Sequence, residues 1–265
     1  MVRSWLCAVL WGLVFVAGSV LAVQDPLSEA LLQAAGQGDL AQVRRLISAG
    51  ADPNYHNAEL GFPLAAAAAG GHFEVVQYLL KQGAEPDPFG KLGGHALIAA
   101  AYTGHARVVR LLVLSGADVN GFTCFGITPL FAAVLRDPAS LEIARYLLLH
   151  GADPNPIDEM GETPLTTAVA RGEEAMARLL LSHGADPNLN LLDEPYPRGA
   201  LHLAVDEGNL ALVQRLLKHG ANPWLRDGDG KTAFDYAWGR SMLLNLLTCG
   251  VDSLAGSCGW HALHP

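Results

Sequence analysis

Seven glycines, each followed by Ala or Val, recur along the chain at Gly50, Gly83, Gly116, Gly151, Gly184, Gly220 and Gly250. The intervals are 33, 33, 35, 33, 36 and 30 residues. So regular a period describes an array of one supersecondary unit. The words after the glycines repeat as well: Ala51-Asp52-Pro53-Asn54, Ala84-Glu85-Pro86-Asp87, Ala117-Asp118-Val119-Asn120, Ala152-Asp153-Pro154-Asn155, Ala185-Asp186-Pro187-Asn188 and Ala221-Asn222-Pro223. Residues 151–184 serve as the reference unit. Thr163 is a hydroxyl N-cap, Pro164 holds the first helical position, and Leu165 begins the apolar run. Ala168 and Val169 carry that helix to Gly172, which stops it. A second helix over 173–182 sets Met176, Leu179 and Leu180 on one stripe, and Gly184 caps it. A helix pair this short cannot bury its apolar face alone, so it must stack on its copies.

A 33-residue period with a Thr-Pro-Leu helix entry resembles the ankyrin repeat. The resemblance covers residues 28–252. It departs from the pattern in detail, since no unit keeps the whole Thr-Pro-Leu-His phrase. Phe131 or Thr166 replaces the His, while Gly199-Ala200-Leu201-His202 keeps the His and loses Thr-Pro. The resemblance implies an all-α solenoid of about seven helix-pair repeats, with hairpin turns projecting to one side. The units fall at 28–54 (an N-terminal cap), 55–87, 88–120, 121–155, 156–188, 189–224 and 225–252 (a C-terminal cap), followed by a tail at 253–265. The first unit has no turn phrase, and Leu31, Leu32, Val43, Leu46 and Ile47 form its inner stripes. The fourth carries an insertion at 137–138, and the sixth has an enlarged turn over 189–198. The outer helix of the seventh, at 241–247, is nearly all apolar and needs a cover, for which Trp260 and Leu263 of the tail are candidates.

Residues 1–22 have the layout of a secretory signal peptide: Arg3, an apolar core from Trp5 to Val16, then small residues before a cut after Ala22. The competing reading is an uncleaved anchor, because residues 4–23 are nearly long enough to span a bilayer. Export with such repeats points to an envelope protein, periplasmic or secreted. Three cysteines follow the cut, Cys124, Cys249 and Cys258, too few and too odd a number for a disulfide framework. Cys249 and Cys258 either close a short loop or stay free.

The 51% hydrophobic content is ample for a core shared between units, and the net charge is −9. An acidic chain without a basic stripe argues against nucleic acid, whose phosphates are held by Lys and Arg. The acidity fits a partner with a basic surface and equally fits simple solubility.

Three motifs invite chemistry and read better as structure. Asp227-Gly228-Asp229-Gly230-Lys231-Thr232 lacks the acidic ligands of a Ca²⁺ loop and the first glycine of a phosphate loop, and reads as a turn. His150, His183 and His219 each precede a capping glycine, where an imidazole can donate to the last helical carbonyls. They lie a repeat apart, too far for one ion. The histidines of the tail, His261 and His264, with Cys258 make only a weak metal set. No Gly-x-Ser-x-Gly elbow occurs. No catalytic, cofactor-binding or metal-binding residue is assigned, and a thiol-dependent enzyme or redox protein using Cys124 remains the alternative.

What the resemblance implies instead is binding of another protein by a monomeric module, across the turn tips and inner helices. The positions concerned are Leu92, Tyr102, Phe122, Phe125, Ile127, Met160, Arg171 and Tyr196. Apolar groups at turn tips are unusual unless something meets them. The processing reading carries its own test. N-terminal sequencing of the exported protein should begin at Val23, whereas retention of Met1 would show an anchor.

Overall fold

In the computed structural model, residues 25–57, 61–88, 95–136, 140–189 and 198–254 are described, with the main chain alone for 95 and 249–254. The enlarged turn of the sixth unit, the insertion at 137–138, the N-terminal segment and the tail therefore lie outside the described residues. Fourteen helices and no strand occur among the described residues. They alternate between inner and outer. The inner helices are α1 (Pro26–Gln37), α3 (Pro63–Ala69), α5 (His95–Thr103), α7 (Pro129–Leu135), α9 (Pro164–Ala170), α11 (Ala200–Asp206) and α13 (Ala233–Tyr236). The outer helices are α2 (Leu40–Ser48), α4 (Phe73–Lys81), α6 (Ala106–Leu114), α8 (Leu141–Leu149), α10 (Glu174–Ser182), α12 (Leu210–Lys218) and α14 (Ser241–Leu254). Two compact units divide the chain, Met1–Glu159 with the first four pairs and Met160–Pro265 with the last three.

The helix entries follow the residues read from sequence. Thr163 accepts from the Thr166 amide at 3.1 Å, Thr166 returns a bond to the Thr163 amide at 2.8 Å, and Pro164 follows. Thr128 accepts from Phe131 at 3.2 Å in the same way. Each outer helix from α2 to α12 has nine residues, about two and a half turns. Helices so short are marginal alone and take their stability from packing. Val43 and Leu46, Val75 and Leu79, Val108 and Leu112, Ile143 and Leu147 supply that packing in the first unit. Met176 and Leu180, then Leu212 and Leu216, supply it in the second. All ten are buried.

The Gly-Ala pair that ends each outer helix from α2 to α12 is a Schellman turn. Gly83 takes φ +90° and Gly116 φ +91°, left-handed values that side chains disfavour. The next residue then bonds back five positions: Ala84 to Leu79 O and Ala117 to Leu112 O, both at 3.0 Å. The following Asp-Pro-Asn words build the turn and lock it to its neighbour. Asp52 and Asp118 accept from the Asn54 and Asn120 amides at 2.9 Å, closing a local turn. Each asparagine then clamps the next turn. Asn54 donates to Gly83 O at 3.0 Å and accepts from the Glu85 amide at 2.8 Å. Asn120 does the same with Gly151 O and Asp153 at 3.0 and 2.8 Å. In the second unit Asn188 holds Gly220 O and Asn222 at 2.9 and 2.7 Å.

Ends of the inner helices are tied down by basic residues of the following pair. His72 Nε2 lies 3.0 Å from Gly36 O, and His105 Nε2 lies 3.2 Å from Ala69 O. Arg240 donates to Val205 O and Asp206 O, both at 2.8 Å. His150, His183 and His219 bond the carbonyls four residues back at 2.8–2.9 Å, as their places before the capping glycines imply. The loop at 227–231 is a turn, with the Asp227 amide on Lys231 O at 2.9 Å. Burial pushes the Asp227 carboxyl up, but bonds from Tyr236 and from the Lys231 and Asp229 amides hold it below its ordinary value.

One capping glycine of the sequence reading is corrected. Gly250 lies inside α14, which runs on to Leu254. The preceding turn has Trp224 where the other turns have the clamping Asn or Asp, so nothing there awaits a seventh capping turn.

Asp87 occupies an asparagine seat with the wrong chemistry. Its Oδ2 accepts from the Asp118 amide at 2.6 Å, which leaves Oδ1 where the asparagines carry Nδ2. Oδ1 is buried without a partner among the described residues, and burial raises the carboxyl above its ordinary value. A raised folded value means that folding favours the protonated form. That contribution is present in acid and is lost as pH rises through the folded value. At neutral pH the ionised group therefore opposes the fold. Asp87→Asn should stabilise the protein by about 1 kcal/mol at neutral pH, the net worth of a regained hydrogen bond. Denaturant titrations should show that gain shrinking as the pH falls through the carboxylate range.

Candidate protein-binding surface

The turn before α7 is the best-defined projecting tip of the first unit. Thr123 Oγ1 accepts from the amides of Phe125 and Ile127, both at 3.3 Å, and the Thr123 amide bonds Ile127 O at 3.0 Å. The Gly126 amide closes the bend on Thr123 O at 2.9 Å. Gly126 itself is at φ +78°, and a Cβ there would lie 2.8 Å from Ile157 O. Only glycine allows the next turn to approach so closely. That neighbour is bonded in place, since the Glu159 amide donates to Phe125 O at 3.1 Å.

A rigid main chain thus presents large apolar side chains to water. Phe125 is 58% exposed and Phe122 36%. Ile127 is half-buried and belongs as much to the base of the turn as to its tip. Tyr102, at the C-terminal end of inner helix α5, is 57% exposed. Helices α5 and α7 pack side by side, so the tyrosine and the tip belong to adjacent pairs of one unit. In the second unit Met160 is exposed at the start of a turn, and Arg171 is exposed at the end of α9, 3.5 Å from Glu173. Leu92 and Tyr196 lie outside the described residues.

Several exposed apolar groups were missed from the sequence. Leu114 and Leu149 end successive outer helices, Trp224 lies in the turn before the last helix pair, Trp238 between its two helices, and Met242 at the start of α14. Comparison of each residue with its counterpart in the preceding unit was the available signal. The sixth residue past the inner-helix N-cap is Val169, then Val205, then Trp238.

Cys124 is half-buried within the same tip and is in the thiol form. The imidazoles of His72, His105, His150, His183, His202 and His219 are all engaged with main-chain carbonyls. A cavity under Phe62, Leu64, Pro86 and Ala96 measures about 10 Å³, room for about one water. What the 122–127 turn offers is exposed apolar side chains on a bonded main chain.

The comparisons agree with that picture. Family models described as ankyrin repeats in three copies match residues 31–123 and 120–191, and one described as ankyrin repeats in many copies matches residues 201–247. No curated protein matches the chain in sequence. Among solved structures, the ankyrin repeat domain of Bcl-3, a member of the IkappaB protein family, is similar at 30% identity with a TM-score of 0.70, covering 83% of this chain and 97% of that domain. Ankyrin repeats are in general modules for protein–protein interaction, and this chain belongs to the ankyrin repeat family.

Proposed function

We propose that this protein is a non-catalytic adaptor or chaperone-like module of the cell envelope, periplasmic or secreted after export, which works as a monomer on a partner protein. The observation that carries the reading is the Phe122–Phe125 tip. Its main chain is fixed by hydrogen bonds on both sides, its two aromatic rings are still exposed, and Tyr102 is exposed on the adjacent helix pair. Preorganised aromatic side chains are what dominate protein interfaces, because they bury much area at little entropic cost. On the second unit, taken by itself, Met160 and Arg171 are exposed and are proposed as contacts of their own. The chain's charge of −9 favours a partner with a basic face. The envelope location rests on the layout of residues 1–22, which carry one cation, an apolar core and small residues before Val23.

The thiol-dependent alternative makes a different demand. It needs a base within reach of Cys124, and six imidazoles are committed to carbonyls. Affinity capture of the exported protein, with mass spectrometry of what it retains, supplies the partner and the assay together. Tyr102→Ala with Phe125→Ala should weaken that partner's binding by at least about 2 kcal/mol, the mark of a hot spot, and leave Tm nearly unchanged. Cys124→Ala should bind as the parent does. Full binding by the double variant, or its outright unfolding, would show that these rings are packing rather than interface.

A further inference from the structure

Asn120-Gly121 is the only Asn-Gly pair in the chain, and it falls on a clamping asparagine. An asparagine carboxamide is open to attack by the main-chain nitrogen of the next residue, at a rate set by how freely that nitrogen reaches Cγ. At the same place in other turns the approach is hindered or forbidden. Tyr55 follows Asn54 and Leu189 follows Asn188, each with a side chain in the way, and Pro156 follows Asn155 with no N–H at all. The turn makes no demand for glycine here. Gly121 does not take a positive φ, and its counterparts are Tyr55, Pro88, Pro156, Leu189 and Leu225.

In the folded chain both reacting groups are engaged elsewhere. Asn120 Nδ2 donates to Gly151 O at 3.0 Å, and its Oδ1 accepts from the Asp153 amide at 2.8 Å. Gly121 is buried, and its amide donates to Asp118 O at 3.1 Å. Reaction requires that amide to give up its proton and the carboxamide to turn back on its own main chain, so these bonds must open first. We infer that Asn120-Gly121 is a deamidation site, gated by opening of the contact between the 118–121 and 151–153 turns, whose product cannot remake the clamp. The deprotonated Gly121 nitrogen attacks Asn120 Cγ, a C–N bond closes a succinimide ring, and Nδ2 leaves as ammonia with the proton returned to it. Water then opens the ring at either carbonyl. The products are aspartate and an isoaspartate in which the main chain runs through the side-chain carboxyl. Either carries two acceptors where the seat needs a donor and an acceptor. One oxygen can still take the Asp153 amide, and the other is left facing Gly151 O. Asp87 already shows that defect, with Oδ2 on the Asp118 amide and Oδ1 buried without a partner among the described residues. An opening that reacts is therefore recorded irreversibly in the covalent chain.

Mass spectrometry of the tryptic fragment 111–136 tests this, because Asn120 is its only asparagine and it holds no glutamine. The full chain is aged in mildly alkaline buffer, folded and in guanidinium chloride. Deamidation at Asn120 should be at least about tenfold slower in the folded chain, since both clamp bonds must break. Ile143→Val, a small thinning of the buried face of α8, should speed the folded reaction several-fold and leave the rate in denaturant unchanged. Gly121→Pro, matching Pro88 and Pro156, should lose the reaction in both states, and Gly121→Leu should slow it in denaturant whether or not the proline variant folds. Asn120→Asp, one of the two products, should melt a few degrees below the parent. Equal rates in the folded and denatured chain, or a folded rate that Ile143→Val leaves unchanged, would overturn gating by the clamp. Deamidation that survives Gly121→Pro would overturn the ring closure, and an Asn120→Asp chain as stable as the parent would overturn the defect ascribed to the product.

Discussion

The bond pair between an asparagine of one turn and the capping glycine of the next is what the rest of the structure depends on. Nine-residue helices do not nucleate on their own, and each pair offers its neighbours only a thin apolar face. An asparagine can serve both sides of that contact because its side chain carries a donor and an acceptor on one planar group. At Asn54 the acceptor holds the Glu85 amide and the donor holds Gly83 O, so two main-chain groups that a Schellman turn leaves over are both satisfied. Each bond is worth about 1 kcal/mol net, modest alone, but the pair also fixes the register of successive turns. At the N-terminal end Ser28 plays half the part. Its buried hydroxyl accepts from the Asp52 amide at 2.9 Å, with no earlier turn to supply an asparagine.

With the base of each turn fixed in this way, the tip is released from structural duty. The bonds of the 123–127 turn are made by Thr123, the main chain and Gly126, none of which needs a particular side chain at 122 or 125. Phe125, 58% exposed, is therefore more free of structural duty than Phe122, 36% exposed, and exposed apolar groups at a fixed tip are what the proposed function makes use of. The outer helices show the opposite economy. Arg44 lies over the Tyr78 ring at 5.4 Å, Arg107 over Phe73 at 4.4 Å and Arg110 over Tyr146 at 5.7 Å. Arg110 also pairs with Glu142 at 2.8 Å. Those cations join neighbouring outer helices within the first unit, and exposed pairs of this kind are worth under about 1 kcal/mol each. In an acidic chain they are spent on its own aromatic rings.

Period, helix pairing and caps were legible in the sequence because each rests on local chemistry: Thr163 and Pro164 start a helix, and Gly184 with Ala185 ends one, whatever surrounds them. The clamp was not legible as a clamp. Asp87 reads as a conservative variant of Asn54 or Asn120, and only the placement of Oδ1 shows that it lacks the donor the seat requires. Departures from the repeat phrase were visible without their consequences. His202 keeps its reach to Leu225 O at 3.0 Å, yet with Gly199 in place of a threonine its Nδ1 is buried with no partner among the described residues. Gly250 misled because a glycine followed by an aliphatic residue is a cap only where something receives it. Of the binding positions, Phe122 and Phe125 were readable as apolar residues in a turn. Trp238 was readable only by comparison with Val169 and Val205, because nothing local announces that α13 ends two residues before it.

Before the seventh repeat the clamping seat holds Trp224, whose amide still donates the turn bond to Asn222 Oδ1 at 3.0 Å. The ring rests on Phe234, with centroids 4.4 Å apart, and does no clamping. The replaced asparagine and the helix that runs through Gly250 are thus two departures from the repeat pattern in the same pair. The two exposed side chains that follow have separate local causes. Trp238 lies two residues past the end of α13, whereas its counterparts Val169 and Val205 are still helical and buried. Met242 takes the second position of its outer helix, where Ala175 and Ala211 are exposed as well, so that position faces water in every pair of the second unit.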